Sequence, residues 1–230
     1  MKVRVISAVV LLAIFIPLLL VGGLPYSLLM LLIALLGLYE LLKIRKTKKE
    51  FPFFVELCAY ILVAFMTLNN YQSKDLYFLM DYRLMTIMMF VFLAPMVFIN
   101  DSKKYNLNDA LFLIGSILFI GLSFNLLILL RNFSLDYVIY LFLIATITDT
   151  FAYITGRYIG KNPLAPLISP KKTIEGLMGG TLMGVIAGSI YYSTVINPGL
   201  DIGIIIFVTL CLSLIGQLGD LVFSAIKRYY

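Results

Sequence analysis

The sequence contains no histidine in 230 residues. That absence excludes an imidazole general base, a phosphohistidine intermediate and histidine metal ligation. Cysteine is nearly as scarce: Cys58 and Cys211 both fall inside apolar stretches, so they imply no disulfide framework and read as small buried apolar residues. Charge is thin as well. Asp, Glu, Lys and Arg make up 13% of the chain, against roughly 25% in an average soluble domain, which excludes an ordinary soluble fold.

What is abundant is hydrocarbon, with 62% of residues hydrophobic. Eight apolar stretches stand at about 5–21, 24–42, 51–68, 84–99, 109–130, 136–155, 173–196 and 202–226. Each is near the roughly 20 residues that a bilayer-crossing helix needs. The expected fold is therefore all-α, a polytopic membrane helix bundle with about eight transmembrane helices. The fourth stretch is short beside Asp81 and Arg83; it either tilts little or begins earlier with a snorkelling arginine. The first, VISAVVLLAIFIPLLLVGG, follows Lys2 and Arg4, has no small-residue cleavage site and runs straight into a second stretch, so it reads as an uncleaved helix.

The net charge of +6 is distributed as a topology signal. With alternate loops assigned to opposite sides, fifteen of the eighteen basic residues share one side: Lys2, Arg4, Lys43, Arg45, Lys46, Lys48, Lys49, Lys103, Lys104, Arg157, Lys161, Lys171, Lys172, Lys227 and Arg228. Lys74, Arg83 and Arg131 hold the other. The bias makes the first side cytoplasmic, with both termini inside, and nucleic acid is not an expected partner. The run KIRKTKKE at 43–50 reads as a phosphate site or, preferably, as a topology determinant facing anionic headgroups. Glu40, one turn before it, reads as an interfacial charge or a partner of Lys43 or Lys46.

Ionisable groups inside membrane helices are costly and point to function. Asp149, Glu175 and Asp220 lie towards the cytoplasmic ends of the sixth, seventh and eighth stretches. In the sixth, Thr146, Asp149, Tyr153 and Gly156 recur at helical spacing, with Arg157 and Lys161 beyond; a structural ion pair remains an alternative for the acid. In the seventh, Pro170 disfavours helix before it and Thr173 can cap a helix whose first turn holds Glu175. Gly176, Gly180, Gly184 and Gly188 then repeat every fourth residue, a smooth ridge for close helix packing. The mouth of that helix, with Lys171 and Lys172 beside it, suits phosphate, while a dilysine at a membrane border also serves the positive-inside bias. In the eighth, Ser213, Gln217, Asp220, Ser224 and Lys227 form a stripe too polar for lipid, thinned by Gly216 and Gly219.

Carboxylates with open water positions suit magnesium, whose shell substrate phosphates commonly complete. With histidine absent, positioning and electrostatics are left, as in phosphoryl and nucleotidyl transfer.

Three blocks, DTFAYITGR at 149–157, SPKKTIEGLMGG at 169–180 and GDLVFSAIKR at 219–228, resemble the phosphatidate cytidylyltransferases, also called CDP-diacylglycerol synthases. They cover most of the C-terminal half; the earlier helices match in apolar character only. The resemblance implies transfer of CMP from CTP to phosphatidate, with pyrophosphate released, magnesium as cofactor and phospholipid biosynthesis as setting. It implies a bacterial-type plasma membrane location with the active face cytoplasmic. It makes Asp220 a catalytic metal ligand, with Asp149 the acid on the facing helix. Lys171, Lys172 and Glu175 become the polar cavity handling phosphates or their counter-ions, headed by Ser169, with both lysines catalytic beside Asp220, and Ser224, Lys227 and Arg228 open the family signature on the substrate side.

That signature continues in the family through a Lys-Asp pair, a Pro-Gly-His-Gly-Gly loop, an Asp-Arg-x-Asp segment and a last helix, whereas this sequence ends at Tyr230. The expectation is an interrupted gene, a fragment or half of a split enzyme, with residues 1–135 carrying about five spans and 136–230 the catalytic-type region. The alternatives are a CTP-dependent lipid kinase of the polyprenol type, a noncatalytic relic, and a small transporter, against which stand acids gathered at one face and no visible inverted repeat. Glycine ridges and apolar surfaces are compatible with a homodimer.

Overall fold

A computed structural model describes residues 2–46, 50–69, 71–73, 82–99, 101, 104–196 and 199–229. Lys48, Lys49, Lys74, Asp81 and Lys103, and the side chains of Lys2, Arg4, Arg45 and Lys46, all used in the topology reading, lie outside what is described. In chain order the elements are α1 (Lys2–Val21), α2 (Gly23–Lys46), α3 (Phe53–Leu68), α4 (Tyr82–Leu93), α5 (Pro95–Ile99), α6 (Leu107–Phe133), α7 (Leu135–Tyr158), β1 (Pro163–Ala165), β2 (Ser169–Thr173), α8 (Ile174–Tyr191) and α9 (Ile202–Tyr229). A π-helical turn, Tyr192–Ile196, extends α8. The chain is an all-α membrane helix bundle to which a short antiparallel hairpin, β1–β2, is added.

Among the described residues, six helical segments are long and apolar enough to cross a membrane: Gly23–Ile44, Tyr82–Ile99, Leu107–Phe133, Leu135–Tyr158, Ile174–Ile196 and Ile202–Tyr229. Val9–Val21 and Phe53–Leu68 are shorter apolar helices. All fall on the apolar stretches of the sequence. The fourth begins at Tyr82, so Arg83 lies in its first turn, its guanidinium over the Tyr82 ring at 5.8 Å. Pro95 has no amide hydrogen to continue the ladder, and it divides α4 from α5.

The chain forms two compact units, Met1–Leu135 and Asp136–Tyr230. In the first, α6 packs against α2, α3 and α4. Helix ends leave carbonyls without partners, which is costly in an apolar medium, and α6 carries the side chains that meet them. Arg131 donates from Nε to Leu19 O (2.6 Å) and from Nη2 to Leu20 O (2.7 Å), closing the end of α1. Buried Asn125 donates to the carbonyls of Thr67 (3.1 Å) and Asn69 (2.6 Å), and Asn132 to those of Tyr71 (2.5 Å) and Ser73 (3.2 Å). The turn from α1 into α2 uses Gly22 and Gly23 at φ of 69° and 56°, a left-handed backbone that glycine adopts without steric cost. At its other end α6 starts with a capping box: Asn106 accepts from the Asp109 amide and Asp109 from the Asn106 amide, both at 3.1 Å.

In the second unit the glycine ridge of α8 is buried. A Cβ at Gly176 would stand 2.7 Å from the Ala152 carbonyl oxygen, and one at Gly180 only 2.5 Å from that of Thr148. One at Gly184 would strike the Thr148 hydroxyl, and one at Gly188 would lie 2.6 Å from Thr209 Cγ2. The ridge therefore lets the α7 backbone, and the small side chains of α9, approach to contact. The face of α7 that it meets runs through Ile144, Thr148, Ala152 and Gly156. Of the polar face read from the sequence, Gly156 belongs to it, whereas Thr146, Asp149 and Tyr153 are exposed.

Gly180→Val forces a branched side chain into the Thr148 backbone, which cannot swing aside, and should destabilise the fold by about 1–3 kcal/mol. Gly115→Ala, where an added Cβ meets nothing within 4 Å, should not. Thermal unfolding of the two variants in the same detergent checks the contrast.

Candidate active site

Thr173 ends β2 and caps α8, its Oγ1 accepting from the Gly176 amide at 3.1 Å, so the SPKKTIEG block runs from strand into helix within a few residues. Successive residues of a strand point to opposite faces. Lys171 is accordingly exposed, while Lys172 is half-buried and turned to α9, its Nζ 2.5 Å from Asp220 Oδ2. The dilysine is thus divided: Lys172 enters the site and Lys171 does not share its contact. Ser169 begins β2, paired with Ala165 across the hairpin.

Asp220 follows the buried, hydrogen-bonded part of the α9 stripe. Ser213 and Thr148 share a hydrogen bond of 2.9 Å between α9 and α7. Gln217 donates to Thr181 Oγ1 at 2.8 Å, which ties α9 to α8, and Tyr140 and Thr209 hydroxyls meet at 2.6 Å nearer the other end. Thr148 and Ser213 fix Asp149 and Asp220 on the walls of one cavity of about 300 Å³, also lined by Ala145, Gly216 and Gln217. The Asp149 carboxylate feels the like charge of Asp220 and the opposite charge of Lys172. Ser224 lies one turn beyond Asp220 and is partly exposed; Lys227 and Arg228 are exposed.

Glu175 is engaged elsewhere. Its carboxylate accepts from the backbone amides of Lys161 (3.1 Å) and Asn162 (3.2 Å) and from Asn162 Nδ2 (2.7 Å), all on the segment that leads from α7 into β1. Arg228 donates from Nε to the Ile168 carbonyl in the hairpin turn. Asn162 and the hairpin itself were not read from the sequence: two short strands interrupted by Pro163, Pro166 and Pro170 carry no alternating pattern long enough to reveal them.

Among the described residues no three Asp, Glu, Cys or His groups cluster as metal ligands. Two carboxylates on one cavity wall still fit magnesium, a hard cation held through one or two carboxylates while waters and phosphates supply the remaining oxygens. Zinc, by contrast, would call for nitrogen or sulfur donors that this cavity lacks.

Carboxylates and a lysine held together on apolar, membrane-type helices define a polar site, and sequence comparison supplies the class. The Cytidylyltransferase family model matches residues 2–230, and the chain belongs to that family. Its relatives include proteins named phosphatidate cytidylyltransferase. That of Staphylococcus haemolyticus is 36% identical over 236 aligned positions, that of Staphylococcus epidermidis 35% over 231 and that of Staphylococcus aureus 33% over 232. Each alignment covers 100% of this chain and 86% of the relative.

Because Asp220 is largely exposed, its pairing with Lys172 should contribute little to stability. A double-mutant cycle with Lys172→Ala and Asp220→Ala, read by chemical or thermal unfolding, should give a coupling below about 1 kcal/mol.

Proposed function

We propose that this chain transfers CMP from CTP to phosphatidate, giving CDP-diacylglycerol and pyrophosphate, with Lys172, Asp220 and Asp149 as its reacting centre. The observation that carries the reading is the Lys172–Asp220 contact at the wall of a cavity shared with Asp149, within a chain of the cytidylyltransferase family. A phosphate oxygen of phosphatidate attacks the α-phosphorus of CTP. A new P–O bond forms as the bond to the β-phosphate oxygen breaks, and pyrophosphate leaves with that electron pair.

Little covalent work falls to the protein, so positioning and charge carry the catalysis. Lys172 Nζ neutralises charge that gathers on the phosphates as the leaving group departs. Asp220 holds that ammonium at the cavity wall before substrate arrives, and Asp149 and Asp220 are the residues that would hold magnesium. When bound, that ion supplies charge neutralisation on the phosphate oxygens and a template for in-line geometry. The polar headgroup reaches the mouth from the lipid while its acyl chains stay in hydrocarbon, which is why the site sits on membrane helices.

The positive-inside bias supports a location in the bacterial plasma membrane, with the site and both termini cytoplasmic. An apolar exterior is compatible with a homodimer, and nothing in the site calls for nucleic acid.

Membranes carrying the chain, given phosphatidate and magnesium, should incorporate label from α-labelled CTP into lipid and release label from γ-labelled CTP as pyrophosphate. γ-Label appearing in lipid with release of CDP would instead mark a lipid kinase, and no incorporation of either label would remove the enzymatic reading. Asp220→Asn should reduce incorporation to background. Lys172→Ala should lower kcat by about 10²–10³-fold, the scale of losing one preorganised charge-stabilising group.

A further inference from the structure

Three tethers converge on the segment 161–173, which carries Lys172. At its start, the Glu175 carboxylate takes the Lys161 and Asn162 amides and the Asn162 side-chain amide. At its turn, the Ile168 carbonyl accepts from Arg228 Nε. At its end, Thr173 caps α8, and the Ile174 amide donates back to the Asn162 carbonyl at 2.9 Å. A two-stranded hairpin is marginal by itself in water. Its shape here therefore depends on what holds it to the helices, and Lys172 reaches Asp220 only if that shape is kept.

We infer that Glu175 and Arg228 are positioning residues: they hold the hairpin from α8 and α9 so that Lys172 meets Asp220, and they act through hydrogen bonds and not through charge delivered to substrate. The inference rests on the reading of Lys172 as a reacting group, and it departs from the family expectation that Glu175 belongs to the polar cavity handling phosphates. Each uses hydrogen-bonding capacity on backbone atoms of the segment. Arg228, on the last turn of α9, spans from the helix that bears Asp220 to the strand pair that bears Lys172. The two partners of the ion pair are therefore fixed to each other by a second contact.

The test reads Lys172 directly, in the full chain in membranes, by the rate at which an amine-reactive reagent labels it, quantified by peptide mass spectrometry. Asp220→Asn sets the rate for an unpaired Lys172, expected about two- to fivefold above wild type for loss of a part-exposed ion pair. Glu175→Ala and Arg228→Ala should raise labelling towards that rate. Glu175→Gln retains an acceptor oxygen and Arg228→Gln retains a donor, so both should keep most of the protection although each has lost its charge. In CMP transfer, the alanine variants should lose kcat while KM for CTP stays within about twofold.

Unchanged Lys172 labelling in the alanine variants would overturn the inference, as would glutamine variants that label like the alanines, since charge would then be the active property. If wild type transfers no CMP, the functional reading fails, yet the labelling comparison still decides whether the tethers set the position of Lys172.

Discussion

Everything in the second unit depends on the close approach of α7 to α8, which the missing side chains of Gly176 and Gly180 allow. Between membrane helices there is no hydrophobic drive for association, because lipid tails are as apolar as leucine, so packing and interhelical hydrogen bonds must hold the contact. At Gly180 the gap is too small for a methyl group. Once the backbones touch, Thr148 lies within reach of Ser213, and Gln217 within reach of Thr181. These bonds fix the rotation of α7 and α9 about their axes. Asp149 follows Thr148 directly, and Asp220 stands two turns after Ser213, so fixing the small polar residues also fixes the two acids.

The electrostatics follow from that placement. Two carboxylates on one cavity would repel if left to themselves, and Lys172 supplies the opposing charge from a strand outside the helix bundle. Such a part-exposed pair adds little to folding. Its value lies in poise: a lysine and an acid held together beside the cavity can each change partner when charged ligands enter. The hairpin leaves that lysine half-buried, and small tethers from α8 and α9 replace the core that a strand pair of this size lacks.

Much of this was legible in the sequence, for physical reasons that can be named. The apolar stretches were visible because a helix in lipid must be nearly continuous in apolar residues. The i+4 glycines and Thr173 were visible because ridge and cap are local patterns, and both appear where the spacing put them. Asp149, Lys172 and Asp220 could be singled out because charge is rare in this chain, and the structure brings those three together. Helical spacing put Thr146 and Tyr153 on one face with Asp149, and all three are exposed; it did not reveal that the neighbouring face, through Thr148, makes the contact with α8 and α9. Glu175 was expected beside the lysines, but its partners lie 13 and 14 residues upstream on a segment whose fold has no sequence pattern. The roles of Arg131, Asn125 and Asn132, whose acceptors are backbone carbonyls, were equally invisible, because every residue carries such a carbonyl.

The central claim is that helix packing presents Asp149 and Asp220 to one space as a joint site for a divalent cation. Manganese, which reports its own binding by electron paramagnetic resonance, tests it most directly when titrated into the purified chain with CTP present. The account predicts a bound ion whose affinity falls at least about tenfold in Asp149→Asn and in Asp220→Asn alike. Binding that is unchanged in both variants, with the fold intact, would contradict it.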